Sequence, residues 1–294
     1  MRASPGFSCR DWIRKNKRLF LFVAVISVVV YIIYYLNLKD RIDENLLSPH
    51  PIKEQDNPDV KYSQAGQDEM VYNILPKENG FYIEMGAFDG KHLSNTLWLE
   101  RQHHWLGLLI EANPDLCRQI DSHMRHAWRL CGCISNNQKN VDFVKDDVFG
   151  ALKDLEKHEN LLSNPEVIKV QCYRLRAVLD KIGIHHIDYF SLDVEGAELL
   201  VLESIKDDLI SGKVRVDVWT IEYLIKSRNY VDSIKTAEKL KHLKQFFEDV
   251  GGFFLHSTIK HPVAGEMDAV FVNIKTWCKL YSKLPNGQSC KRNQ

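Results

Sequence analysis

The stretch FYIEMGAFDG, Phe81 to Gly90, decides the fold. Phe81 to Met85 is a short apolar run of the kind that forms a buried strand. It carries one acid, Glu84, and runs into Gly86, Asp89 and Gly90. Gly86 permits a tight turn with positive φ, and Gly90 permits close backbone approach. A strand entering such a turn is either a cofactor cradle or a plain core turn. The residues that follow the neighbouring strands choose between the two.

Downstream, strand-like and helix-like segments alternate. Asn95 to Gln102 reads as a helix, with Ser94 as its cap, and Leu106 to Ile110 as the next strand. Asn113 and Pro114 are a cap and first-turn proline for a helix reaching about Met124. Ala127–Cys131, Val141–Val144, Lys169–Arg174, Ile187–Leu192 and Val214–Ile221 are strands by composition. Leu175–Lys181, stopped by Gly183, and Glu198–Ile205 are helices. Ser233–Val250 is a long amphipathic helix with Ile234, Ala237, Leu240, Leu243, Phe246, Phe247 and Val250 near one face. Phe253–His256 and Ala269–Val272 follow with no helix between them. The alternation predicts a mostly parallel sheet with helices on both faces, and the closing pair predicts one antiparallel strand near its end.

Ligands of such sheets sit beyond the carboxyl ends of the strands. Three of those ends carry acids: Glu84, Glu111, and Asp193 with Glu195. A carboxylate at Glu111 suits the two hydroxyls of a ribose. So many acids suit a cofactor with a positive centre better than a pyrophosphate. Singly, each has a plainer role: Glu111 as a helix cap, Asp193 as a buried paired acid. Glu222, after a later strand, and His256 are the other groups able to reach the crevice. The remaining histidines are scattered between elements and point to no metal site.

The chain is long enough for one sizeable domain with an appendage. Lys plus Arg and Asp plus Glu are 39 each, and this zero net charge with no basic stripe argues against nucleic acid as the main partner. At the N-terminus, Leu19 to Leu36 is apolar apart from Ser27 and three tyrosines, and as a helix it rises roughly 27 Å, about a bilayer core. Arginines and lysines dominate before it and acids after it, which places the N-terminus in the cytosol and the rest across the membrane. No small-residue cleavage site follows, so a signal anchor is expected rather than a cleaved signal peptide. Residues 37–61, with Pro49, Pro51 and Pro58, read as a stalk. Six cysteines follow the span, an even number compatible with disulfides in an oxidising compartment. Cys278 with Cys290 is the preferred local pair, and Cys131-x-Cys133 is too tightly spaced for a usual metal site.

Taken in order, YSQAGQD (Tyr62–Asp68), GFYIEMGAFDGKHLSNTLWLE, WLGLLIEANP and IDYFSLDVEGAEL resemble the FkbM-type methyltransferases, over roughly residues 61 to 273. With the anchor, the chain also resembles the insect Star group of single-span membrane proteins, which is associated with trafficking of growth-factor precursors. The resemblance implies a Rossmann-like class I methyltransferase fold (α/β, a mostly parallel seven-stranded sheet with one antiparallel strand near the end) after one transmembrane helix. It implies a cytosolic tail over 1–18, an anchor over 19–36, a stalk over 37–61, the domain over 62–275 and a tail over 276–294. It implies S-adenosylmethionine as cofactor, held by Glu84, Gly86, Asp89, Gly90, Glu111, Ser135 and Asp193, with Asp193 and Glu195 as catalytic groups and no metal. The expected partners are the lipid bilayer and a small-molecule or glycan acceptor. The expected location is the endoplasmic reticulum or Golgi, with the domain lumenal. The expected reaction is O-methylation of a sugar or other secretory-pathway acceptor; the alternative is a Star-like binding protein, acting on membrane cargo, that keeps only the fold. One departure stands out: Phe88 occupies the middle glycine position of the usual acid-x-Gly-x-Gly-x-Gly turn. A glycosyltransferase ranks last, because Asp146–Asp147 and Asp207–Asp208 lack an Asp-x-Asp spacing.

Overall fold

The computed structural model describes residues 22–30, 42, 44–52, 60–136, 139–145, 151–152, 166–225, 231–261 and 265–290. The chain divides into two units, Met1–Glu44 and Asn45–Gln294. In the first, residues 22–30 are helical and exposed. The rest of the expected anchor, residues 19–21 and 31–36, lies outside the described residues. Among the described residues no helix is long and apolar enough to cross a membrane.

The second unit begins with β1 (Leu46–Leu47), α1 (Gln67–Ile74), β2 (Phe81–Met85), α2 (Leu97–His103), β3 (Leu106–Glu111), α3 (Pro114–Ser122) and β4 (Ala127–Cys131). There follow β5 (Cys133–Ile134), β6 (Asn140–Val144), β7 (Ala151–Leu152), β8 (Val167–Tyr173), α4 (Leu175–Ile182), β9 (His186–Leu192), α5 (Glu198–Ile210) and β10 (Arg215–Glu222). The unit closes with α6 (Ser233–Val250), β11 (Phe253–His261), β12 (Gly265–Asn273) and α7 (Ile274–Leu280).

The main sheet has eight strands in the order β1-β4-β3-β2-β9-β10-β12-β11. The five from β4 to β10 are parallel, β12 is antiparallel to both its neighbours, and β1 is antiparallel to β4. This is a Rossmann-like mixed sheet. The chain winds outward one way through β2, β3 and β4 and the other way through β9 and β10, so the order reverses between β2 and β9. A crevice therefore opens at their carboxyl ends, where Glu84 and Asp193 stand.

Three expectations are corrected. The sheet has eight strands and not seven: it is mostly parallel with β12 antiparallel near one edge, and β1 adds a second antiparallel strand at the other edge, while Val141–Val144 and Lys169–Arg174 fall in a separate four-stranded sheet, β5-β8-β6-β7. The Cys133–Cys172 disulfide ties β5 to β8 there. The supposed stalk is partly structural, since Leu46 and Leu47 pair with β4 and the His50 amide donates to the Arg125 carbonyl at 3.1 Å. The supposed C-terminal tail folds back: α7 carries Cys278, bonded to Cys290 as expected, and Trp277 packs on Phe254.

Local chemistry explains most of the elements. Asn113 caps α3, accepting from the Asp115 amide at 3.0 Å, and Pro114 is its first residue. Gly183 ends α4 with a left-handed φ of 73°. The face of α6 is displaced at its first turns: Ile234 is 73 % exposed, and Thr236 and Lys239 are buried instead. The Thr236 hydroxyl accepts from the Ile225 amide at 2.9 Å, and Lys239 pairs with Glu198 at 2.7 Å. Those polar contacts set the helix rotation and leave the isoleucine outside, forgoing about 2 kcal/mol of burial. Further along, Phe247 stacks on Phe271 at 4.0 Å and Trp219 on Phe190 at 4.5 Å, which clamps the helix to β9, β10 and β12.

Candidate active site

The turn after β2 is built around Gly86. Its φ is 82°, and a Cβ there would lie 1.7 Å from the Asp193 carbonyl oxygen. The Asp193 amide donates to the Met85 carbonyl at 3.1 Å, so the ends of β2 and β9 meet with no room for a side chain. Gly90, also at 82°, packs on α3, where a Cβ would meet Ile120 at 3.0 Å. Asp89 accepts from the Lys91 and His92 amides at 2.9 and 2.8 Å and pairs with the His92 ring. Burial pulls its pKa up, but these donors hold it below the usual aspartate value. Gly90 and Asp89 thus shape the turn and do not line the cleft. Phe88 adopts a left-handed φ of 53°, a glycine-like conformation, and its amide donates to Glu111 Oε2 at 2.9 Å.

Glu84 is engaged from within. Its Oε1 accepts from the Asn95 amide at 2.6 Å, and its Oε2 from the Ser94 and Thr96 hydroxyls at 2.8 and 2.6 Å. Arg125 stands 3.9 Å from the same oxygen. Burial raises the Glu84 pKa, and Arg125 and the donors only partly offset it. Arg125, 1 % exposed, also donates to Glu100 at 2.8 Å, to the Tyr82 and Thr96 hydroxyls at 2.9 Å each, and to the Gly90 carbonyl. One buried guanidinium therefore braces β2, the turn and the start of α2. Sequence reasoning missed it, because a lone arginine between a helix and a strand carries no spacing signal.

The crevice is a cleft of about 210 Å³. At one side Glu111 closes β3, with Oε1 accepting from the Asn113 amide at 2.8 Å and Oε2 from Phe88. Burial pushes its pKa up to about 7, against the backbone donors. Ser135, Ile134 and Cys133 form the adjoining wall, and the Ser135 amide donates to the Tyr173 carbonyl at 2.9 Å. At the other side Asp193, Glu195 and Glu222 bring carboxylate oxygens within 4.8 Å of one another. Burial, then the charges of Glu222 and Glu195, drive the Asp193 pKa well above its ordinary value, and its buried Oδ1 has no hydrogen-bond partner. Lys239 reaches within 4.0 Å of Glu222. Asp268, opposite Glu222 on β12, has its pKa pushed by burial to about 6 and accepts from Gln67 at 2.7 Å. His256 does not line the cleft and lies by Trp277; His261 and His92 do line it.

The fold and this crevice define a class I methyltransferase domain. Residues 84–252, more than half of the chain, match the methyltransferase FkbM domain, and the chain belongs to that family. Its cofactor is S-adenosylmethionine. Solved structures similar to the chain include the METTL16 MTase domain (11% identity, TM-score 0.41, covering 70% of this chain and 65% of that one). A TehB-like SAM-dependent methyltransferase from Corynebacterium glutamicum is similar at 12% identity and TM-score 0.37 (70% and 87%). Human methyltransferase 10 domain containing protein is similar at 10% identity and TM-score 0.39 (80% and 92%). The chain thus spans less than two thirds of the METTL16 domain. No curated protein matches it.

The residues present fit the cofactor. Gly86 and the Glu111 carboxylate line the cleft, and the orphaned Asp193 oxygen calls for a cationic or protic partner.

Proposed function

We propose that the chain is an S-adenosylmethionine-dependent O-methyltransferase, acting on a sugar or another secretory-pathway molecule. The unpartnered, buried Oδ1 of Asp193 among Glu195 and Glu222 carries this reading. Crowded carboxylates are costly unless a positive or protic group answers them. When bound, the cofactor supplies an electrophilic methyl on a sulfonium. Glu111 would accept from the ribose hydroxyls, and Ser135 would adjoin the adenine. Asp193 and Glu195, with Glu222, orient the acceptor hydroxyl and take its proton. Calorimetric titration of S-adenosylmethionine into the oxidised chain tests this. Binding lost in Glu111→Ala is the expected result; undiminished binding in that variant removes the ribose contact.

The location proposed is the lumen of the endoplasmic reticulum or Golgi, behind a single span at Leu19 to Leu36. Support comes from the disulfides Cys117–Cys131, Cys133–Cys172 and Cys278–Cys290, which together use all six cysteines that follow the span. Such bridges persist in oxidising compartments. Protease protection of the domain in intact microsomes is the expected outcome, and digestion there would reverse the topology.

A second reading, a Star-like protein that binds membrane cargo without chemistry, is favoured by one observation. Phe88 replaces a glycine in the turn while holding a glycine-like φ of 53°. Capture of membrane cargo that survives Glu111→Ala, with no cofactor bound by the parent chain, would select it.

A further inference from the structure

Asn95 is a polar side chain in the cleft wall. It lies in the loop between the turn and α2. It is 9 % exposed and lines the same cleft as Gly86 and Asp193. Its backbone amide is spent on Glu84, and its Nδ2 donates to the Ser191 hydroxyl at 3.0 Å. Its buried Oδ1 has no hydrogen-bond partner. The Ser191 hydroxyl can both donate and accept, so either orientation of the amide leaves one of its polar atoms unanswered. A buried, unsatisfied amide oxygen costs about 1–3 kcal/mol unless a ligand supplies the donor.

Glu84 contrasts with it. Three short donors and Arg125 already occupy that carboxylate. Two of the donors, Ser94 and Thr96, flank Asn95. Glu84 therefore acts as the bracket that presents Asn95, which leaves Asn95 as the group with an acceptor to offer. Asn95 also bridges the two sheet halves at the switch point, touching Glu84 of β2 and Ser191 of β9.

We propose that the side-chain oxygen of Asn95 receives the α-ammonium of the cofactor's methionine end, with Glu84 as a positioning residue behind it. The inference rests on the reading of the cleft as the cofactor site and deepens it. The ligand's amino-acid end would thus be recognised from the loop after β2, while Glu111 recognises its ribose from β3.

Two probes separate the ends of the ligand: S-adenosylhomocysteine, which has the amino-acid tail, and 5′-methylthioadenosine, which lacks it. Both are titrated calorimetrically into the full-length oxidised chain and its variants. Asn95→Ala should weaken S-adenosylhomocysteine by ~10-fold or more, as for a hydrogen bond to a charged group, and leave 5′-methylthioadenosine unchanged. Asn95→Asp keeps the acceptor and the shape, can still accept from Ser191, and should retain S-adenosylhomocysteine binding. An equal loss for both probes would make Asn95 a general prop of the turn and overturn the proposal. So would a loss in Asn95→Asp as large as in Asn95→Ala, since the amide would then be donating. If the parent chain binds neither probe, the cofactor reading fails and the inference falls with it. That result is distinguishable because it appears before any substitution. Coincident thermal unfolding of the variants without ligand shows that the comparison is made between folded proteins.

Discussion

Two acidic strand ends face each other across the switch point, and they are buried in opposite ways. Glu84, closing β2, is answered by three hydrogen-bond donors and the Arg125 guanidinium. Asp193, after β9, meets Glu195 and Glu222, and its Oδ1 meets no donor. In both, burial raises the pKa; around Glu84 the neighbours offset the rise, and around Asp193 they compound it. A buried acid whose partners are all internal belongs to the scaffold. One whose neighbours share its charge is a place where something else must come.

The comparison breaks most visibly at Arg125. Removing a partner from a buried ion pair leaves an uncompensated charge and costs about 3–5 kcal/mol. Arg125→Met should therefore destabilise the domain by about that much, read as a shifted urea midpoint with an unchanged slope. It strands Glu100 as well as Glu84, since Arg125 donates to Glu100 at 2.8 Å. A loss under ~1 kcal/mol would mean that the hydroxyls of Ser94, Thr96 and Tyr82 suffice without the guanidinium.

Glu111 tests whether a third acid, raised by burial to about 7, serves the ligand. A carboxylate accepts from hydroxyls more strongly than a carboxylic acid does. Affinity for S-adenosylhomocysteine should therefore fall as pH drops through about 7, approaching about tenfold per pH unit below it, and Glu111→Gln should flatten the profile. Stability runs the other way. The folded pKa lies above the unfolded value, so folding takes up a proton. The domain is then most stable below the unfolded pKa, near ~4.3, and loses that increment as pH rises to about 7.

Asp193 shares that sign, with its folded pKa raised by burial and by Glu222 and Glu195. Asp193→Asn removes the proton uptake and one like charge. At neutral pH it should make the domain more stable by ~1 kcal/mol while lowering methyl transfer and cofactor affinity. Guanidinium unfolding at two pH values checks it: the gain should shrink toward acid, where the wild-type carboxyl is protonated in both states. A destabilised Asn variant would mean that the carboxylate holds the β2–β9 junction, as Glu84 holds its loop.

Much of this arrangement was legible in the chain. The acids at Glu84, Glu111 and Asp193 stand at the ends of apolar runs, and a run followed by a turn fixes where a strand stops. Caps such as Asn113 and stops such as Gly183 act locally and read locally. Three things did not read. The second sheet pairs β6 with β8 across a long connection, and short half-exposed strands carry little periodic signal. The face of α6 turns on Lys239 and Thr236, whose partners Glu198 and Ile225 lie outside the helix. Arg125 and Asn95 matter through contacts remote in sequence, Arg125 with Tyr82, Gly90 and Glu100 and Asn95 with Ser191. The loci of acids were therefore visible, and which acid was already answered was not.

The smallest effect sharpens the comparison at the turn between these acids. Phe88 holds φ at 53°, where an L-residue pays roughly 1–2 kcal/mol and glycine pays almost nothing. Glycine also loses more backbone freedom on folding, about 0.5–1 kcal/mol. Phe88→Gly should therefore change stability by only about +0.5 kcal/mol, the difference of the two. The Phe88 amide, which donates to Glu111 at 2.9 Å, survives the substitution because it is backbone. S-adenosylhomocysteine affinity should then be kept or raised, and Phe88 would be a tolerated variant of the cofactor turn. Lost affinity with unchanged stability would mean that the ring itself lies against the ligand, since Phe88 lines the cleft. The turn would then recognise its ligand by a side chain at the position where the usual pattern keeps only backbone.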